Sequence, residues 1–186
     1  MGKPIRVEYM TLAQLRRAPR NPKAHDLDVI DSSIKRFGFV APIVMDERTG
    51  RLVAGHGRLE TLERAKAAGQ KPPDRIIERD GEWLVPVIRG VEFTDDREAE
   101  AYVVADNQTT ILGGWNEEEL AAVLLDHAGG ERGLQGLGYS ADDLQEMLFR
   151  LGQDAPEFEP TDASEQSRLD AKKKATCPKC GHVFEP

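Results

Sequence analysis

The stretch Arg51-Leu52-Val53-Ala54-Gly55-His56-Gly57-Arg58-Leu59-Glu60 changes secondary structure within ten residues. Its apolar run from Leu52 to Ala54 predicts a buried strand. The two glycines that flank His56 predict a tight turn, and the leucines and glutamates that follow predict a helix. We therefore expect a strand, a glycine turn and a helix in direct succession, with the other elements packed around them.

This junction has the composition of an anion-binding site. Glycines let a backbone approach a ligand closely, and the first N–H groups of a helix have no partner within the helix. Arg58 adds a planar guanidinium that suits phosphate oxygens, and an arginine at a helix start opposes the helix dipole unless an anion binds there. The alternative is a turn in which the glycines serve the backbone geometry alone.

Composition places the chain among soluble globular proteins. It has 186 residues, of which 39% are hydrophobic and 31% charged, enough for one domain with appendages or two small domains. No apolar run approaches the roughly 18 residues of a membrane span, and no apolar signal-peptide region follows the N-terminus, so we expect a cytoplasmic protein without a membrane segment.

Charge is distributed unevenly along the chain. The net charge is −8, but residues 1–92 contain 17 Lys and Arg against 13 Asp and Glu, whereas residues 93–170 contain 4 against 19. The excess of positive charge therefore lies in the part that contains the glycine turn, and this charge is compatible with an anionic ligand. For the acidic part, an ordinary solvated surface is the simpler interpretation.

Hydrophobic periodicity and capping residues predict an α+β arrangement. Asp26 is expected to cap a helix that buries Leu27, Ile30, Ile34 and Phe37. Asn116 and Ser140 are expected to cap two later helices, after a longer one over residues 95–112. The predicted strands are residues 6–10, 42–45, 52–54, 76–77 and 83–88, and Pro86 predicts an edge or bulge position in the last of them.

The C-terminal part differs in composition from the rest. Residues 153–175 are polar and predict a flexible linker. Cys177 and Cys180, with Pro178 and Gly181, have the form of a zinc knuckle, and His182 is a third candidate ligand at an unusual spacing. A second chain or a partner would have to complete four ligands, and the alternative is an unligated exposed pair.

Four motifs occur in an order that resembles a known family. They are Ser-Ile-Lys-Arg-Phe-Gly-Phe at the end of a helix, Ala-Pro-Ile-Val from Ala41, Val-Ala-Gly-His-Gly-Arg-Leu from Val53, and Ala-Asp-Asn-Gln from Ala105. Together they resemble the N-terminal domain of the ParB/sulfiredoxin superfamily, also called the ParB-like nuclease domain, and most closely its phage and prophage branch that accompanies DNA methylases.

The resemblance implies a domain organisation. The ParB/sulfiredoxin-like domain, a small mixed sheet flanked by helices, would cover residues 5–112. A helical extension (113–152), the linker (153–175) and the zinc-knuckle-like tail (176–186) would follow it.

The resemblance also implies site residues. In the partition-protein branch this domain binds CTP with magnesium, so CTP or ATP with Mg²⁺ is the expected ligand here. Pro42 and Ile43 match the motif at the base and sugar end. Gly55, His56, Gly57 and Arg58 match the phosphate motif, and Asp106 and Asn107 match the pair that holds magnesium and phosphate. Thr109 and Thr110 stand near the position where relatives have a further arginine, and a second arginine of the phosphate motif is absent.

Two alternative functions are compatible with the same residues. A metal-dependent DNA nuclease would use His56 as general base and Asp106 as metal ligand. A catalytically silent scaffold would pair with a DNA methylase or another phage protein. Sulfiredoxin chemistry is excluded, because no cysteine stands in the turn.

The expected partners follow from these functions. They are a nucleoside triphosphate, DNA bound without sequence-specific helix-turn-helix recognition, a methylase or another phage protein, and a second copy of the chain. A basic loop with Arg20, Asn21 and Lys23 enters the pocket in relatives, so its residues are further candidates.

Overall fold

The computed structural model describes residues 4–152 and, in the tail, the antiparallel strands Ala175–Thr176 and Val183–Phe184. The chain divides into two compact units, Met1–Gln153 and Asp154–Pro186. The predicted linker, apart from Ala175, and the candidate zinc ligands Cys177, Cys180 and His182 lie outside the described residues. The candidate anion-binding residues all belong to the first unit.

A five-stranded mixed sheet forms the centre of the first unit, as the sequence predicted. The central strand β5 pairs with β1 along one edge and with β2 and β4 along the other, and β3 extends the sheet beyond β2. The β2–β5 pair is parallel and the other pairs are antiparallel. The strands are β1 (Arg6–Thr11), β2 (Ile43–Asp46), β3 (Arg51–Ala54), β4 (Ile77–Arg79) and β5 (Glu82–Val91).

Five α-helices surround or follow the sheet. They are α1 (Leu27–Phe37), α2 (His56–Ala67), α3 (Asp96–Gly113), α4 (Glu117–Ala128) and α5 (Ala141–Arg150). The predicted caps are confirmed: the side chains of Asp26, Asn116 and Ser140 accept hydrogen bonds from N–H groups in the first turns of α1, α4 and α5. None of the helices in the described residues is long and apolar enough to cross a membrane.

Two hydrophobic clusters stabilise this unit. The first lies between the sheet and helices α1 and α2, and its fully buried members include Ile43, Leu52, Leu59, Val85 and Val87. The second lies between α4 and α5, and its buried members are Ala121, Leu124, Leu144, Met147 and Leu148. The second cluster gives the predicted helical extension a core of its own.

Two local predictions are corrected by the structure. Phe37 was expected to be buried, but it is 43% exposed because α1 ends there and its ring packs under the guanidinium of Arg36 instead. Pro86 was expected at an edge or bulge position, yet it lies in the central strand and pairs with Tyr9 of β1 in a continuous register. Its position falls between the parts of β5 that pair with β4 and with β2, where a residue without an N–H is best tolerated.

Candidate functional site

The predicted strand, glycine turn and helix are confirmed at the end of β3. Gly55 adopts φ +94°, a left-handed conformation that favours glycine, and α2 begins at the next residue. The first intrahelical bond is donated by the Leu59 N–H to the Gly55 carbonyl at 3.0 Å. No described side chain caps this helix start. The N–H groups of its first turn are therefore available to a ligand.

A cavity of about 460 Å³ opens in front of this helix start. Its volume falls within the range of small-molecule sites, about 300–1,000 Å³. Its walls come from five parts of the chain: the segment before α1 and α1 itself, the loop before β2, the β3–α2 junction, helix α3, and the loop between α4 and α5. The residues that line it through polar groups or backbone include Asn21, His25, Ser33, Gly55, His56, Gly57, Arg58, Asp106, Asn107 and Gly136.

Both glycines of the turn are required by close packing. A β-carbon on Gly57 would lie 2.7 Å from His25 Cγ and 2.8 Å from Ile30 Cδ1. A β-carbon on Gly55 would lie 3.0 Å from Ile43 Cγ1 and 3.1 Å from Arg58 Nη2. Any larger residue would push its neighbours aside and reduce the space in front of the helix start.

Arg58 provides the positive charge of the cavity. Its Nη2 donates a hydrogen bond to the Pro42 carbonyl at 3.3 Å, whereas its buried Nε has no hydrogen-bond partner in the part of the chain that the structure describes. Burial lowers the pKa of Arg58, and the carboxylate of Asp106 offsets part of this effect. Among residues 4–152 no carboxylate forms an ion pair with it. A partly buried guanidinium whose Nε is fully shielded from water loses hydration, which makes an anionic ligand favourable at this position.

His56 is buried and neutral in this arrangement. Its Nε2 accepts a hydrogen bond from the Ala18 N–H at 3.2 Å, so its proton resides on Nδ1. Burial lowers the pKa of His56, and the charges of His25 and Arg17 lower it further. A general base needs a free lone pair near its substrate, and here the Nε2 lone pair is already used by the backbone.

Helix α3 brings the second predicted motif to the same cavity. Asp106 and Asn107 both line it, although they lie in the middle of a continuous helix. The Tyr102 hydroxyl donates to Asp106 Oδ1 at 3.3 Å, and Asn107 Nδ2 donates to the Val103 carbonyl at 2.7 Å. Asn107 is thus oriented by its own helix. The structure therefore places the glycine turn and the acidic motif on one cavity.

The described residues contain no group of three His, Cys, Asp or Glu side chains that could hold a metal by themselves. This does not conflict with the predicted Mg²⁺, which commonly binds to one or two carboxylates together with substrate phosphates and water. The carboxylate of Asp106 and the amide oxygen of Asn107 are donors of the type that Mg²⁺ prefers. They fit a magnesium ion that arrives with a phosphate ligand.

Two predicted site residues, Pro42 and Ile43, lie outside the cavity wall. The Ile43 side chain is fully buried in the first hydrophobic cluster, under Gly55. Pro42 contributes its carbonyl to Arg58. The residues of this loop that do line the cavity are Phe39, Val40 and Ala41. Of this motif, Ala41 thus forms part of the cavity wall, whereas Pro42 and Ile43 support the Gly55–Arg58 turn from behind.

In the basic loop, only Asn21 of the three candidates lines the cavity. Arg20 lies within 3.5 Å of Glu100 at the surface, and the Lys23 N–H donates to Asn21 Oδ1 at 3.2 Å. Sequence analysis missed His25, whose Nε2 lies 3.4 Å from Asn21 Nδ2. Burial chiefly lowers the pKa of His25. Its position next to the helix cap Asp26 gave no indication of a site.

No family model and no curated protein matches this sequence. Among solved structures, the C-terminally truncated chromosome-partitioning protein ParB from Caulobacter crescentus, complexed with CTP-gamma-S, is similar over 80% of this chain and 72% of that chain. The sequence identity is 19% and the TM-score is 0.42.

Proposed function

We propose that this chain is a ParB-like module that binds a nucleoside triphosphate in the cavity between the Gly55–Arg58 turn and Asp106–Asn107. The observation that supports this most directly is Arg58, a partly buried guanidinium at an uncapped helix start that has no ion-pair partner among residues 4–152. The order of the four sequence motifs further supports a role in phage or mobile-element DNA metabolism.

The phosphate end of the ligand is assigned to the start of α2. There the N–H groups of the first helical turn and the Arg58 guanidinium can bind phosphate oxygens together. Gly55 and Gly57 leave the backbone accessible at this point. A polyphosphate would also replace the hydration that the buried guanidinium has lost, which is why a charged ligand is favoured over a neutral one.

The rest of the cavity suits a nucleoside. Apolar side chains form much of its wall, namely Val29, Ile30, Ile34, Phe39, Val40 and Leu137. Such a surface can pack against a planar base, whereas a site for inorganic phosphate alone would not need it. The volume of about 460 Å³ is also larger than a single phosphate group requires.

Titration calorimetry with CTP, ATP, GTP and UTP, each with and without Mg²⁺, tests this proposal. We expect saturable binding of at least one of them, strengthened by Mg²⁺. Arg58→Met should weaken that binding by about tenfold to a hundredfold, because a charge-assisted hydrogen bond contributes about 1.5–3 kcal/mol. Arg97→Met, which removes an exposed arginine from the first turn of α3, should leave the affinity unchanged.

Inorganic triphosphate and plasmid DNA separate the alternatives. Equal affinity for inorganic triphosphate and for every nucleotide would show a general anion site and contradict the nucleoside assignment. Magnesium-dependent plasmid nicking that is abolished by His56→Ala would favour the nuclease. A folded chain that neither binds a nucleotide nor cleaves DNA would contradict the proposal and leave a scaffold function.

A further inference from the structure

The loop between α4 and α5, residues 129–138, forms one wall of the candidate site. Gly136 and Leu137 line the same cavity as the Gly55–Arg58 turn, although they belong to the helical extension. None of the four sequence motifs includes this loop. Its contribution to the cavity depends on how it is held against α1.

Arg36 fixes this loop from the C-terminal end of α1. Its Nη1 donates hydrogen bonds to the carbonyls of Gly133 at 2.9 Å and Gln135 at 2.5 Å. In the opposite direction, Arg132 Nη1 donates to the Arg36 carbonyl at 3.3 Å. Two arginines, one on the helix and one on the loop, therefore connect the two segments through hydrogen bonds to backbone carbonyls.

Gly136 allows the loop to lie directly on α1. It adopts φ +77°, and a β-carbon there would lie 2.9 Å from the Ser32 carbonyl oxygen and 3.0 Å from Arg36 Cβ. Any other residue would be strained in this conformation and would collide with the helix backbone. The close approach at Gly136 brings the following residue to the cavity.

Leu137 links the cavity to the core of the helical extension. It lines the cavity and also packs against the α4–α5 cluster, together with Leu134 and Tyr139. One side chain is thus shared between the candidate ligand site and a separate hydrophobic cluster. A ligand that contacts Leu137 would stabilise the docked position of the whole extension.

We propose that the α4–α5 loop is a ligand-contacting wall of the site and that Arg36 is its positioning residue. This inference rests on the proposed nucleotide binding and extends it to the helical extension. Because the coupling between two equilibria is reciprocal, docking of the loop raises the affinity for the nucleotide, and the nucleotide in turn stabilises the docked loop.

The test compares Arg36→Met, Gly136→Ala and the wild-type chain by calorimetry with the nucleotide that the wild type binds best. Both variants should bind it at least about tenfold more weakly, a change that corresponds to about 1.4 kcal/mol. Lys35→Met is the matched control, because Lys35 pairs only with Asp31 of its own helix among the described residues, and its affinity should equal that of the wild type. Circular dichroism verifies that each variant is folded.

Hydrogen exchange supplies a readout that general destabilisation would not reproduce. In the wild type, saturating nucleotide should slow amide exchange in residues 129–138, and in Arg36→Met this protection should be lost at equal ligand occupancy. Unchanged affinity in both variants, or no protection of the loop in the wild type, would overturn the inference while the proposed function stands. Absence of nucleotide binding in the wild type would overturn both.

Discussion

Gly57 leaves the space that the imidazole of His25 occupies: a β-carbon at this position would lie 2.7 Å from His25 Cγ and 2.9 Å from Nδ1. The contact joins the start of α2 to the segment just before α1. These two segments are walls of the candidate site. Its shape therefore depends on the absence of a side chain at Gly57 and on the presence of the His25 ring.

Gly57→Ala should destabilise the fold despite the higher helix propensity of alanine. Overpacking typically costs about 1–3 kcal/mol, which exceeds the gain of about 1 kcal/mol expected for replacing a helical glycine. Urea denaturation measures the free energy of unfolding. We expect a net loss, together with weaker nucleotide binding.

Two further variants show whether this contact is the cause. Gly113→Ala changes a glycine of α3 where a β-carbon would meet no described heavy atom within 4 Å, and it should not be destabilising. Gly57→Ala combined with His25→Ala should recover part of the lost stability. Equal destabilisation by both glycine variants would contradict the steric explanation.

Stability should fall as the pH is lowered from 7.5 to 5.5, because the pKa of His56 is lower in the folded chain. Well above the usual histidine pKa of about 6.5, His56 is neutral in both the folded and the unfolded state, and its contribution to stability does not change with pH. Below it the unfolded state takes up a proton that the folded state does not, with a limiting slope of about 1.4 kcal/mol per pH unit for one group. Denaturation midpoints across this range measure the effect.

His56→Gln should flatten this pH dependence. Glutamine can present an amide oxygen to the Ala18 N–H in place of Nε2, but it does not titrate. His127→Gln, which removes an exposed histidine from the last turn of α4, should retain the wild-type profile. A profile that stays steep in the His56 variant would assign the effect to other groups, His25 first among them.

Arg58→Met should separate stability from binding. The variant removes a partly buried guanidinium whose buried Nε has no hydrogen-bond partner among the described residues, so the ligand-free chain should be equally stable or more stable by about 1 kcal/mol. The same change should weaken nucleotide binding by about tenfold to a hundredfold. Thermal melting with and without nucleotide tests both expectations, and a large loss of stability without ligand would show that Arg58 serves the fold.

Asp46→Asn should destabilise the β2–β3 hairpin and its neighbours. The Asp46 carboxylate is fully buried and accepts hydrogen bonds from the Thr49 hydroxyl and from the backbone N–H groups of Thr49 and Phe93. Burial raises the pKa of Asp46, but these hydrogen bonds outweigh it and hold the pKa below its usual value. Loss of the charge should cost about 2 kcal/mol in urea denaturation at pH 7.

The Asp46 contribution, like that of His56, decreases as the pH falls, but it does so in a more acidic range. A carboxyl group with a lowered folded-state pKa stabilises the fold above its unfolded value of about 3.9, and this contribution is lost as the pH falls below that value.

Asp126→Asn, on the exposed side of α4, is the control for Asp46→Asn, and it should change the free energy of unfolding little. Equal destabilisation by Asp46→Asn and Asp126→Asn would show that the buried hydrogen bonds of Asp46 do not cause the loss of stability.

The sequence by itself determined the elements and their boundaries to within a few residues. The strand, glycine turn and helix over residues 51–60, and the caps at Asp26, Asn116 and Ser140, were predictable because each depends on neighbours within four residues. The motif order also identified Arg58, Asp106 and Asn107 as members of one site, and the structure places all three on one cavity.

Only the tertiary structure decided which other side chains reach the cavity. His25, Gly136 and Leu137 line it, whereas Ile43 is buried beneath it. No local pattern distinguishes these outcomes, because a wall is formed by segments far apart in the chain and depends on how closely their helices pack. The sequence thus determined the strand, glycine turn and helix of the candidate site, and packing of α1 against the β3–α2 junction and the α4–α5 loop determined the shape of its cavity.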